Sequence, residues 1–218
     1  MGEATTTPRE RYRQQVRAEI KERAWEQIAA AGASAVSLNA IAKHMGLSGA
    51  ALYRYFTNRD ELVTELVRDA YQSLAGTFRA VAARGEGNLS GLAHALREWA
   101  LADPQRYFLV YGTPVPGYRR PADVTVIASE IMGIVLEACT PQPGDGRATP
   151  FEATVEARPK EEAGQPLAAP DALHTAVFFW SRLHGVLSME LGGHFTGMGF
   201  DPALLFQTEL ELLLTRGP

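Results

Sequence analysis

Residues 37–59, SLNAIAKHMGLSGAALYRYFTNR, constrain the fold of this chain more than any other stretch. Ser37 is placed to cap a short helix that carries Ile41, Ala42 and Met45 inward. Gly46 supplies the positive φ that a tight helix–helix turn needs. Ser48 caps a second helix, read over 48–56, with Ala51, Leu52 and Phe56 on its apolar side. Two short helices joined at Gly46-Leu47 make a helix-turn-helix, and that motif restricts the surrounding chain to helices that can cover its back.

The flanks supply that cover. Val16, Ile20, Ala24 and Ile28 recur every four residues, predicting a helix over 9–31 that Gly32 ends. Asn58 is placed to cap a fourth, longer helix, and Glu61 completes a capping-box-like pattern. Its inward stripe is Leu62, Leu66, Ala70, Leu74 and Phe78. Further helices are predicted over 88–103, from Pro104 onward, over 122–139, over 171–195, and from Asp201-Pro202 to the C-terminus. Residues 140–169, rich in proline and glycine, read as one long, mobile loop. No alternating strand pattern and no internal repeat is present.

Charge is divided unequally. Residues 1–84 hold 12 Lys/Arg against 9 Asp/Glu, while residues 85–218 hold 9 against 16. A basic N-terminal part on an acidic body suits a DNA-binding head, although taken alone the pattern is that of a solvated helix face. No apolar run approaches the ~18 residues a membrane span needs. MGEATTTPRERYRQQ lacks a secretory apolar core and reads as a polar arm. The single cysteine, Cys139, fits a reducing cytosol.

A reading helix must show several side chains to base edges while its back packs on the domain. Leu52 and Phe56 are the packing side. Ala51 is small enough for close backbone approach, and Gly49, Tyr53, Arg54 and Tyr55 are free to face a groove. Arg54 is the strongest base-reading candidate, because a guanidinium can bond guanine O6 and N7 together. Ser37, Asn39 and Arg59 are candidate phosphate contacts, and Ser48 stands at the start of the reader.

The pattern S-L-x-x-I-A-x-x-M-G-L-S-x-x-A-L-Y-R-Y-F-x-N-R-x-E-L over 37–62 closely resembles the DNA-binding domain of TetR-type transcriptional regulators. The resemblance covers about the first third of the chain. It implies an all-α homodimer: a three-helix head over 9–58 behind a flexible arm at 1–8, and a helical body over 59–218. That body would bind a small effector and dimerise through its last two helices. By family position, Ser37, Asn39, Ser48, Gly49, Ala51, Tyr53, Arg54, Tyr55 and Arg59 would face double-stranded DNA. Arg59 stands where lysine is usual, and Ala51 where many members have threonine. Trp180-Ser-Arg-Leu-His184-Gly185 fits the W-x-x-x-H-G signature of one C-terminal subclass, the WHG domain.

The body is aromatic-rich, and Phe78, Trp99, Tyr107, Phe108, Tyr111, Phe179, Trp180 and His184 are candidates for an effector pocket. His184, one turn from Trp180, reads equally as a core histidine. The last two helices are apolar on more than one face, which asks for self-association. Leu187, Leu191, Leu205 and Leu212 are the interface candidates. His174, His184 and His194 are ten apart and share no helix face, so no metal is expected. No G-x-S-x-G, phosphate-loop or dinucleotide fingerprint and no nucleophile–base pair appears, so neither cofactor nor enzyme activity is expected. A ligand-responsive repressor is the leading reading. A helical dimer that binds only protein is the alternative, with a small-molecule enzyme ranked behind it.

Overall fold

The computed structural model describes residues 7–112, 118, 121–139, 150–158, 161–162, 165–166 and 168–216. Among them it is built from helices: α1 Pro8–Ala31, α2 Leu38–His44, α3 Gly49–Leu52, α4 Arg59–Ala83, α5 Leu89–Ala102, α6 Pro104–Tyr111, α7 Ala122–Ala138, α8 Pro150–Glu156, α9 Pro170–Leu191 and α10 Pro202–Arg216. A 3-10 turn, Ala33–Ala35, follows α1, and a two-residue antiparallel ladder pairs Glu161 with Pro166 and Glu162 with Gln165. The chain divides into two compact units, residues 1–71 with 105–124 and residues 72–104 with 125–218. The division falls inside α4, beyond the head boundary expected at 58.

The first unit is closed by its caps. Thr7 and Pro8, expected in the arm, open α1: the Thr7 hydroxyl accepts from the Glu10 amide at 3.3 Å, and the Glu10 carboxylate accepts from the Thr7 amide at 2.8 Å. The rest of the arm, 1–6, lies outside the described residues. Gly46, at φ 66°, ends α2. The Leu47 amide reaches the Ala42 carbonyl at 2.9 Å and the Gly46 amide reaches Lys43 at 3.3 Å, the paired bonds of a Schellman motif. Asn58 Oδ1 accepts from the Glu61 amide at 2.8 Å, as expected, but the Glu61 carboxylate reaches back to Thr57 instead, accepting from its amide and hydroxyl, both at 2.6 Å. Those bonds hold the Glu61 carboxyl below the usual range.

Val16, Ile20, Ala24 and Ile28 of α1, Leu38, Ile41 and Ala42 of α2, Leu52, Phe56, and Leu62 and Leu66 of α4 form one core cluster. The four-residue spacings that predicted α1 and α4 are therefore core stripes. Leu109 of α6 packs against the same cluster.

In the second unit, α10 packs along α9, and both meet α5. The Arg97 guanidinium of α5 binds Glu190 of α9 at 2.6 Å, and Arg182 of α9 binds Glu209 of α10 at 2.6 Å. The loop expected over 140–169 is corrected in part: Pro150 starts α8, whose Val155 is buried and whose Phe151 ring lies 5.5 Å from His174 and 6.0 Å from Phe178 on α9. Proline is tolerated at a helix start, so Pro150, inside the expected loop, opens a helix, and Pro170 opens α9 one residue before the expected start. Residues 140–149 lie outside the described residues. The helix expected to reach Phe195 stops at Leu191, because Gly192 and the positive φ of Gly193, 73°, turn the chain.

Candidate nucleic-acid interface

The reading segment is shorter as a helix than expected. α3 is four residues long, and Tyr53–Tyr55 continue it as a tightened turn, with Arg54 N–H bonding Ala51 O at 3.3 Å and Tyr55 N–H bonding Leu52 O at 2.8 Å. Leu52 and Phe56 are fully buried beneath it. Truncating Phe56 to alanine would cost about 3–5 kcal/mol, so the back of the reader is anchored in the core. The Ser48 hydroxyl caps the segment by accepting from the Ala51 amide at 3.1 Å.

Above that base, Tyr53 and Arg54 are exposed, Tyr53 by 44 %. Arg54 makes no ion pair or side-chain hydrogen bond among the described residues, which leaves all five of its donors to solvent or a partner. Asn39 and Ser48 are exposed too, and Ser37, Gly49 and Ala51 are half-buried. A Cβ placed on Gly49 would stand 3.8 Å from Asn39 Oδ1, so the starts of α2 and α3 come together there. Seven of the nine expected DNA-facing residues thus lie on one small head as groups a duplex could reach.

Two do not fit that picture. Tyr55 is half-buried and packs against the core cluster, so part of its ring is taken up by the head itself. Arg59 turns back on the head: Nε donates to the Val36 carbonyl at 3.2 Å and Nη2 to the Ala33 carbonyl at 2.9 Å. Its donors clamp the connection between α1 and α2, where a phosphate contact was expected. Two further ties were not read from the sequence. Gln27 Oε1 accepts from the Ser37 amide at 2.8 Å, and Arg17 Nη1 donates to the Tyr55 carbonyl. Three side chains from α1 and α4 thereby fix the backbone on both sides of the motif.

The aromatic candidates of the body separate into two groups. Tyr107, Phe108 and Tyr111 sit on α6 in the first unit, with the Tyr107 ring 5.5 Å from each of the other two. Tyr71 of α4 joins them, 6.0 Å from Tyr111. Phe78, Trp99, Phe179, Trp180 and His184 belong to the second unit. Phe78 and Phe179 are fully buried there, and the Trp99 indole donates to Ser73 at 3.1 Å. The Trp180 and His184 rings lie 4.4 Å apart, and burial pushes the His184 imidazole down to about 4. A polar groove of 620 Å³ opens between the end of α4 and the start of α5, but none of the eight candidates lines it.

Of the interface candidates, Leu191, Leu205 and Leu212 are half-buried. Leu187 is fully buried within its own chain and leaves no surface for a partner. Met189, Leu204 and Leu214 are more exposed on the same two helices, at 44 %, 67 % and 39 %. No described helix is long and apolar enough to cross a membrane.

Comparison with known proteins agrees with this geometry. The family model for bacterial regulatory proteins of the tetR family matches residues 20–66, and a tetracyclin repressor-like C-terminal domain matches residues 89–213, a range that contains Trp180 to Gly185. HTH-type transcriptional regulator Rv1816 of Mycobacterium tuberculosis is 36% identical over 218 residues, covering 93% of this chain and 92% of that protein. The crystal structure of regulatory protein SCO4313 is 62% identical and superposes with a TM-score of 0.85, covering 97% of this chain and 100% of the other. The TetR family regulator PfmR from Thermus thermophilus, 15% identical with a TM-score of 0.55 over 89% of this chain and 96% of its own, shares the fold alone. With a matched helix-turn-helix head, a matched C-terminal domain and full-length relatives, the chain belongs to the TetR family of bacterial transcriptional regulators and is a DNA-binding regulator.

Proposed function

We propose that this regulator is a cytoplasmic homodimeric repressor that reads a palindromic operator and releases it when a small molecule binds the C-terminal domain. The observation that carries the reading half is Arg54: an exposed guanidinium with no partner among the described residues, on a segment tied from three sides. Arg54 is the base reader and Tyr53 lies beside it. Ser37 and Ser48, the N-caps of α2 and α3, and Asn39 in the first turn of α2 hold phosphates. Gly49 and Ala51 let the backbone come close. The dimer forms along α9 and α10 through Leu191, Leu205 and Leu212, together with the more exposed Met189, Leu204 and Leu214. Two heads related by a two-fold axis then require half-sites separated by about one helical turn of DNA or a multiple of it.

The effector half of the proposal rests on the aromatic side chains of the second unit, Phe78, Trp99, Phe179 and Trp180, with His184 beside Trp180. An effector acts only through its preference for one state, so it must bind the DNA-free form more tightly. Selection from a randomised duplex pool tests the reading. It should return a palindrome bound in the nanomolar range, with affinity falling steeply as salt rises. Recovery of no enriched sequence would overturn the reading of a palindromic operator.

A further inference from the structure

Arg17 leaves α1 toward the far end of the reading segment and meets three groups there. Its Nη1 donates to the Tyr55 carbonyl oxygen. Its guanidinium carbon lies 4.2 Å from the centre of the Phe56 ring. Its Nη2 lies 3.3 Å from Glu65 Oε2 on α4. The other oxygen of Glu65 accepts from Arg68 Nη1 at 2.7 Å, and Arg68 donates through Nε and Nη2 to Asp123 Oδ2 at 2.9 and 2.6 Å. Asp123 stands in the first turn of α7. A continuous line of charge-assisted hydrogen bonds, joined by the Arg17–Glu65 ion pair, therefore runs from the carbonyl that ends the reading turn, through α1 and α4, to the start of α7. All its members belong to the first compact unit.

We propose that Arg17 is a positioning residue for DNA reading, and that its hold on the Tyr53–Tyr55 turn depends on Asp123 through Glu65 and Arg68. The physical case is one of aim. A guanidinium is planar, with its donors fixed in a fork. The Phe56 face sets the plane of Arg17, Glu65 takes one edge, and the remaining edge points at a single carbonyl. Glu65 is shared between two guanidinium groups, so its position depends on where Arg68 is held. Asp123 is that outer anchor. Each half-exposed pair contributes little alone, but a network in which each charge orients the next behaves as a unit. When the Tyr55 carbonyl shifts, the peptide before it rotates, and that peptide belongs to Arg54. Paired hydrogen bonds to a base edge weaken steeply with misalignment.

The proposal rests on Arg54 as the groove-facing reader, and the test keeps the two apart. The probe is a duplex selected from a randomised pool on the wild-type protein, compared with a scrambled duplex of equal length. Arg17→Met and Asp123→Asn should each weaken binding to the selected duplex about fivefold, while their combination is no weaker than Arg17→Met alone. Binding to the scrambled duplex and the salt slope should stay unchanged, because no phosphate contact is removed. Loss of a phosphate contact at Arg17 would instead lower the slope by about one. Asp123→Glu should restore wild-type binding. Asp123 is 54 % exposed, so its variants fold, and thermal melting verifies this for each protein. The relay is overturned if the two effects multiply to about 25-fold, if Asp123→Asn binds like wild type, or if the slope falls with Arg17→Met. If Arg54→Ala also leaves binding untouched, the failure lies in the reading of the head and not in the relay.

Discussion

Residue by residue, the head is stabilised by polar side chains that look as if they belong to an interface. Arg59 is the clearest case. Charge and position suggest a phosphate contact, yet its guanidinium bonds two backbone carbonyls, Val36 and Ala33, that precede α2. Removing one partner of such bonds leaves acceptors unsatisfied, at about 1–3 kcal/mol for the pair. Arg59→Ala should therefore lower the melting temperature of the head by several degrees while leaving the salt slope of DNA binding unchanged. A normal melt with a slope reduced by about one would return Arg59 to the phosphates. His184 makes a second prediction at this scale. Its folded value near 4 lies below the ordinary 6.5, so between these values the unfolded chain carries a proton that the folded chain lacks. Stability must then fall as pH falls, by up to about 1.4 kcal/mol per unit. Chemical unfolding at pH 7 and pH 5 should show wild type losing about 2 kcal/mol more than His184→Gln. Carboxylates held low, such as Glu61, cost stability alike in both proteins as pH falls, so the comparison with His184→Gln cancels them. An equal loss in both proteins would place the proton elsewhere.

Among the elements, legibility followed the range of the interactions that build them. Ser37, Gly46, Ser48 and Asn58 act on neighbours within a few residues, and each does in the structure what its position announced. The stripes of α1 and α4 were equally plain, since a fourfold spacing is itself the packing face. Ties that cross long stretches of chain carry no local signal. Arg17 meets a carbonyl 38 residues away, and Arg59 meets two at separations of 23 and 26. α8 has no clear sequence signal because Pro150 reads as a breaker in a proline-rich stretch, although a first-turn proline opens a helix. The aromatic candidates were pooled along the sequence, whereas the fold assigns α6 to the unit of the head and α9 to the other. Periodicity shows that a side chain points inward but not which interior it enters. Leu187 is buried in its own chain while Leu204 on the next helix stands in water, and spacing alone does not separate the two.

For the whole molecule, the prediction concerns assembly. Met189, Leu204 and Leu214 put apolar surface in water on the two C-terminal helices, which favours covering by a second copy. Leu204→Asp should shift the protein from dimer to monomer in sedimentation at micromolar concentration, and affinity for the palindromic duplex should fall with it, because each head alone reads one half-site. Persistence of the dimer in Leu204→Asp would move the interface away from this residue. Upstream of assembly stands the base contact proposed for Arg54, and one titration addresses it. Fluorescence anisotropy on the selected duplex should show Arg54→Ala binding about 10- to 100-fold more weakly than wild type, with relaxed preference at one base pair and an unchanged melting temperature. Equal affinity and equal base preference in the two proteins would mean that this head does not read DNA through Arg54.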